Sequence, residues 1–219
     1  RGRRIATPED LQSIAGTMKS LSAVTTPQYG EAVAALGDYS RTIELGLQVV
    51  LQRGGPAMAV PAAPAVRDAP ILAIVFGSDH GLCGRFNHEI AQVAQEALRD
   101  APAGTRYLVA GARPAAILEA QGETIEETFL LPGAVGGLGE TTHRILGAID
   151  ARRAKEPAIR VRLFYNRRTN GGTATPTSLQ LLPLDPEWLA GLTRERWSGR
   201  SLPTFTMPAE SLLAARVRQ

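Results

Sequence analysis

From Thr7 to Gln52 the apolar residues recur every three or four positions: Leu11, Ile14 or Ala15, Met18, Leu21, Ala32, Leu36, Tyr39, Ile43, Leu47 and Val50, with Thr25 in the same row. That spacing lines them up along one face of a helix. Thr7-Pro8-Glu9-Asp10 opens it. Thr7 can cap, Pro8 suits the first helical position, and two acids sit at the positive end of the helix dipole. About 45 residues rising 1.5 Å each make a rod of roughly 67 Å, about twice what a domain of this size can cover. The stripe therefore calls for a partner along its length, as in a coiled coil. Pro27 breaks the pattern. It lacks an N–H and its ring crowds the preceding turn, so it is expected to kink or divide the helix.

Residues 53–70 are rich in Pro, Ala and Gly and read as a linker. Beyond them the period changes. Ile71–Phe76 is a short, fully apolar run of the kind found inside a covered parallel sheet. Phe86–Arg99 reads as a helix with Ile90, Val93, Ala94 and Leu98 inward. Tyr107–Ala110 reads as a strand, Pro114–Ala120 as a helix, Thr124–Leu131 as a strand and Thr141–Arg153 as a helix. Ile159–Tyr165 alternates as a half-exposed strand does. Asn170-Gly171-Gly172 signals a hairpin, and Leu179–Leu184 is the returning strand. Strands alternating with helices imply an α/β fold, Rossmann-like, with a mostly parallel sheet of about five strands, right-handed crossovers and an antiparallel edge. The expected domains are a long helix over 1–52, a linker over 53–70, and an α/β domain with an irregular tail over 71–207. A further helix starts within 208–219. Its opening, Thr206-Met-Pro-Ala-Glu210, has run only a few residues when the sequence stops at Gln219. The absent initiator Met and this interrupted helix together point to a trimmed sequence.

Composition narrows the partners. All 24 basic residues except Lys19 and Lys155 are Arg, and the net charge of +3 is spread out, without the basic cluster expected of a nucleic-acid binder. A single Cys excludes an internal disulfide. No apolar stretch approaches the ~20 residues that span a bilayer.

The chemistry-bearing residues concentrate in Phe76-Gly-Ser-Asp-His-Gly-Leu-Cys-Gly-Arg-Phe-Asn87, between the first strand and its helix. A phosphate loop belongs there. However, three and then two residues separate Gly77, Gly81 and Gly84, where the dinucleotide fingerprint has one and then two. The Lys of a Walker loop is missing too. Cys83 near His80 could be an activated thiol, but no third, orienting group is at hand; a small buried hydrophobe is the plainer reading. Asp79, His80, Cys83 and His88 lack the paired spacing of structural zinc ligands. A second Gly-rich stretch, Gly133–Gly139, has no residues arranged for phosphate and reads as a connector. The Phe76–Asn87 loop reads either as a nucleotide site or as a tight strand-to-helix turn. In the second case Gly81 and Gly84 supply backbone freedom, and Ser78, Asp79 and Asn87 bond nearby backbone groups.

Three segments together resemble one known family. Ser78-Asp79-x-Gly81-Leu82-Cys83-Gly84-x-x-Asn87 is similar to the signature loop of the gamma subunit of F-type rotary ATP synthases. Ile14-x-x-x-Met18-Lys19, with the small residues after it and Leu21, resembles that family's amino-terminal helix. Pro176-Thr-Ser-Leu-x-Leu-Leu-Pro183 resembles the end of its α/β domain. The order is right over nearly the whole chain. The departures are Pro27, the sparse basic residues around Lys19, and the stop at Gln219, where the family's long carboxy-terminal helix begins. They suggest a divergent branch lacking most of that helix.

The resemblance implies a central-stalk rotor subunit that catalyses nothing and holds no cofactor or metal. Its partners would be the catalytic and non-catalytic ATPase subunits, the small epsilon stalk subunit and the membrane ring subunits. Nucleic acid is not among them. Ser78, Asp79, Gly81, Leu82, Cys83, Gly84 and Asn87 would form a structural or interface loop; Ile14, Met18, Lys19 and Leu21 would lie on the helix interface. The expected location is peripheral, on the cytoplasmic face of a bacterial inner membrane. Two other readings stay open: an α/β nucleotide-binding or enzymatic domain using residues 77–87, and a coiled-coil adaptor carrying such a domain.

Overall fold

A computed structural model describes residues 8–53, 68–169, 173–194 and 197. Helix α1 runs from Pro8 to Arg53 without interruption, through Pro27. The expected division at Pro27 is therefore absent. Proline removes one hydrogen bond, the one that would have gone to the Ala23 carbonyl. Ala23 and Pro27 are both exposed, so water can satisfy that carbonyl. The chain divides after Leu47 into two compact units. In the first, residues 8–47 are helix, with Val24, Val33, Leu36 and Tyr39 among its exposed apolar side chains.

The second unit is built on a five-stranded sheet. Its strands are β1 (Ile71–Phe76), β2 (Arg106–Ala110), β3 (Ile125–Phe129), β4 (Arg160–Arg168) and β5 (Ala174–Leu182). Their order is β3-β2-β1-β4-β5, with every pairing parallel except the antiparallel β4–β5 hairpin. Among the described residues four helices accompany it: α2 (Phe86–Leu98), α3 (Ala112–Ala120), α4 (Leu138–Lys155) and α5 (Pro186–Arg194). The central strand β1 is apolar throughout because both its faces are covered. On one side Ile71, Ala73 and Val75 join Tyr107, Val109 and Phe164 under Ile90, Ala94 and Leu98 of α2 and Leu118 of α3. On the other, Leu72 and Ile74 join Leu108, Phe129 and Val161 under Ile145 and Ile149 of α4. Within this unit the last turn of α1 is buried at Val49, Val50 and Leu51, and Gln52 Nε2 donates to the Thr193 carbonyl of α5 at 3.2 Å.

Several boundaries differ from the sequence reading, most by one or two residues and three by more. The hairpin strands run further, to Arg168 and from Ala174, because each supplies the other's backbone partners beyond the apolar stretch. Helix α4 starts at Leu138, straight after a 3-10 turn over Val135–Gly137. Part of the tail expected to be irregular is helix α5. Asp185 caps it: its Oδ1 accepts the Glu187 N–H at 2.9 Å, and Pro186 fills the first position. Leu189 and Leu192, three apart, are its buried face. The Asn170–Gly172 turn and the helix start after Thr206 lie outside the described residues.

Candidate functional site

The signature loop leaves the carboxyl end of β1 and is closed by its own side chains. Asn87, in the first turn of α2, is only 5% exposed and reaches back over it. Its Oδ1 accepts the Ser78 N–H at 2.9 Å; its Nδ2 donates to Ser78 Oγ at 2.8 Å and to Cys83 Sγ at 3.1 Å. Ser78 Oγ in turn donates to the His80 carbonyl at 2.9 Å. Asp79 works over a longer range. Its Oδ1 accepts the Ala112 N–H at 2.8 Å and its Oδ2 the Leu131 N–H at 2.7 Å. One carboxylate thus meets the positive end of α3 and ties the chain just past β3 to the chain just past β1. Backbone bonds complete the knot. Gly77 N–H donates to the Ala110 carbonyl, Gly111 N–H to Phe129, and Arg113 N–H to Ser78. Asn166 of β4 donates from Nδ2 to the Phe86 carbonyl at 3.3 Å.

Two glycines make room at this end, Gly111 for the chain leaving β1 and Gly77 for Asn87 and Pro114. A Cβ on Gly111, where φ is +116°, would lie 2.8 Å from the Ser78 nitrogen. One on Gly77 would lie 2.5 Å from Asn87 Oδ1. The sequence marks Gly77 only as a glycine of the loop and does not mark Gly111; the signal for this role is a Gly directly after each of two apolar strands. The left-handed positions also differ from expectation. Gly84 takes φ +59°, as expected, but Gly81 does not enter that region, and Leu82 does, at φ 63°. Leu82 is 73% exposed, so its side chain gains little packing to offset the local clash of Cβ with its own backbone in that conformation.

These contacts decide what the loop can do. In a doubly wound sheet a ligand sits at the carboxyl ends of the strands where the order reverses, here beside β1 and β4. An anion held there needs free amides. In this loop the Ser78 amide is held by Asn87 and the Phe86 amide by the Cys83 carbonyl. Cys83 is exposed rather than buried, with its sulfur turned toward the Asn87 amide and the Ser78 hydroxyl. Among the described residues no group of three His, Cys, Asp or Glu could hold a metal. His80 and His88 are exposed. The arrangement fixes three strand ends and two helix starts against one another.

The helix residues fall elsewhere, in the first unit. Met18 is half-buried and Lys19 exposed, while the side chains of Ile14 and Leu21 lie outside the described residues. Val33, Leu36 and Tyr39, spaced by three, form an exposed apolar row on the same helix. Among the described residues no helix is long and apolar enough to cross a membrane.

A family model described as ATP synthase matches residues 2–217. The ATP synthase gamma chain of Pelotomaculum thermopropionicum is 27% identical over 200 residues, covering 88% of this chain and 67% of the relative. That of Desulfitobacterium hafniense is 28% identical over 190 residues, covering 84% and 64%. The chain thus spans about two thirds of the length of these relatives. A chain from the central stalk and c-ring of the Tetrahymena thermophila mitochondrial ATP synthase shares its fold, with a TM-score of 0.61 at 15% identity over 91% of this chain and 85% of that one.

Proposed function

The chain belongs to the ATP synthase family, and on that premise we propose that it is the gamma-type, central-stalk subunit of a rotary ATPase. In this reading α1 enters the hexamer of nucleotide-binding subunits, and the α/β unit sits at the foot of the stalk with the epsilon-type subunit and the membrane ring. The chain performs no chemistry and is peripheral to the membrane. Its work is differential contact. An asymmetric shaft meets each catalytic subunit differently, so each rotational position lowers the free energy of a different nucleotide-site conformation. Ion flow through the ring would turn the shaft and so move those populations in sequence. The signature loop would contribute stiffness, because torque passed through a slack strand-to-helix junction would be lost as local deformation.

The observation that supports this most directly is α1 itself. It is a 46-residue helix, most of which packs as a unit of its own with apolar side chains on its surface. A helix that long with an exposed stripe is a poor solution for a free-standing domain and a good one for a shaft seated in a partner. The test is reconstitution. Co-expressed with the catalytic and non-catalytic subunits of its own operon, the full chain should co-purify with the hexamer and raise its ATP hydrolysis. If the hexamer forms without it while the chain alone binds ATP or NAD at micromolar concentration in a calorimeter, the rotor reading is wrong.

A further inference from the structure

The two edges of the sheet are treated differently. The β3 edge is five residues long and carries Glu126 and Glu127, which pair with Arg152 at 3.8 Å and Arg144 at 3.4 Å on α4. Short length and charge are how an edge is kept from pairing with another strand. The β5 edge is nine residues long and has no charged residue. Pro176 interrupts its donors near the start, which leaves Thr177–Leu182 free of both proline and charge. Among the described residues no strand lies on its outer side. Every second backbone N–H and C=O along that run points away from β4. Leu179 is 49% exposed within it, an apolar side chain that an added strand would cover.

The same hairpin is charged in one sense only. Residues 160–182 hold four arginines and no Asp or Glu. Arg160 is committed, donating twice to the Ala69 carbonyl. The other three have no carboxylate partner among the described residues. Arg162 lies over the Phe164 ring and donates to Ser178 Oγ at 3.0 Å, which carries its charge across onto β5. Arg167 lies over Tyr165 and donates to its hydroxyl at 2.9 Å. Arg168 is exposed at the end of β4. Strand alternation puts Arg162 and Arg168 on one face and Arg167 on the other. A strand added to β5 would therefore have Arg162 on one face, opposite Gln180, and Arg167 and Arg168 on opposite faces at its far end, beside Thr175 and Ala174.

We propose that the outer edge of β5, along Thr177–Leu182, docks an extended acidic segment of a partner protein. That segment adds a sixth strand to the sheet, pairs a carboxylate with Arg162, which reaches across to Ser178, and, where it continues past Pro176, meets Arg167 and Arg168 beside Thr175 and Ala174. Main-chain bonds supply the affinity of such an addition, and the arginines select for acid. The reading does not depend on the rotor assignment, and its test makes no use of the ATPase hexamer.

Three fluorescent octapeptides are titrated into the full chain: one alternating Glu with Val and Thr, one with Lys in place of Glu, and one acidic peptide with a central Pro. The first should bind, lose affinity as salt rises, and slow amide exchange across Thr177–Leu182. The Lys and Pro peptides should bind at least tenfold more weakly. Arg168→Glu, a change on an exposed side chain, should weaken the acidic peptide several-fold without altering the circular dichroism of the chain. The Pro peptide binding as well as the unbroken one would reduce the surface to a charged patch and overturn strand addition. No binding, or no change in exchange over Thr177–Leu182, would overturn it as well. Sedimentation of the chain with phosphatidylglycerol vesicles, without peptide binding, would identify the arginines as a membrane contact instead.

Discussion

Asp79 and Leu131 are 52 residues apart in sequence, and the Leu131 N–H donates to Asp79 Oδ2 at 2.7 Å. The other oxygen of the same carboxylate takes the first N–H of α3, from Ala112. Hydrogen bonds to a charged acceptor contribute about 1.5–3 kcal/mol each, and stranding a half-buried donor adds to the loss. Asp79→Asn can accept only one of these bonds and turns an N–H₂ toward the other donor. It should lower the unfolding free energy by about 2–3 kcal/mol, seen as a lower urea midpoint with an unchanged slope. An unchanged midpoint would remove Asp79 from the knot.

The glycines of this region should separate cleanly on substitution by Ala. Gly111 combines φ +116° with a backbone neighbour at 2.8 Å, so Gly111→Ala should cost several kcal/mol and compromise folding. Gly84 has φ +59° in open space, so Gly84→Ala should cost only about 1 kcal/mol. Gly81 has no positive φ and faces only the tip of the Arg113 side chain, which can move. Gly81→Ala should be close to neutral. Leu82→Gly should stabilise or leave stability unchanged, because it releases a left-handed Leu. Thermal midpoints for the four variants give the order, and a Gly81→Ala as damaging as Gly111→Ala would refute it.

Tyr107 is almost fully buried, and burial first, then the charge and hydrogen bond of Glu123, push its hydroxyl well above the ordinary 10.0. The folded state therefore holds a proton that the unfolded chain releases near its ordinary value. Stability from this group is fully present below pH 10 and falls as pH rises above it toward the folded value. Tyr107→Phe should flatten that decline. Urea midpoints at about pH 9 and about pH 11 measure it, and parallel declines in parent and variant would show that another group is responsible.

Leu36 and Tyr39 are 60% and 54% exposed on one face of α1. If that face is a shaft surface, Leu36→Lys with Tyr39→Glu should leave helix content and the α/β unit intact and abolish co-purification with the hexamer. A double variant that assembles as well as the parent would place the contact on another face.

The periodic part of this molecule was legible in its sequence. The stripe from Leu11 to Val50 gave α1, the six apolar residues Ile71–Phe76 gave a strand buried on both faces, and the later alternation gave the α/β order. Helix α5 carries a start signal as well, with too faint a stripe to stand out. Asp185-Pro186-Glu187 repeats the start signal of Thr7-Pro8-Glu9, but nine residues with two apolar anchors make a faint stripe. Periodicity is local: it records which face of one element avoids water, and neighbours in sequence suffice to show it. What the tertiary structure decided was non-local. The partners of Asp79 lie 33 and 52 residues away and meet it only because β2 and β3 line up beside β1. That Gly111 has no room for a Cβ depends on the same alignment. The open edge of β5 and the guarded edge of β3 follow from a strand order that no residue pattern contains. A polar group or a strand edge is satisfied by whatever the chain brings back to it, and the packing of the whole unit determines that return.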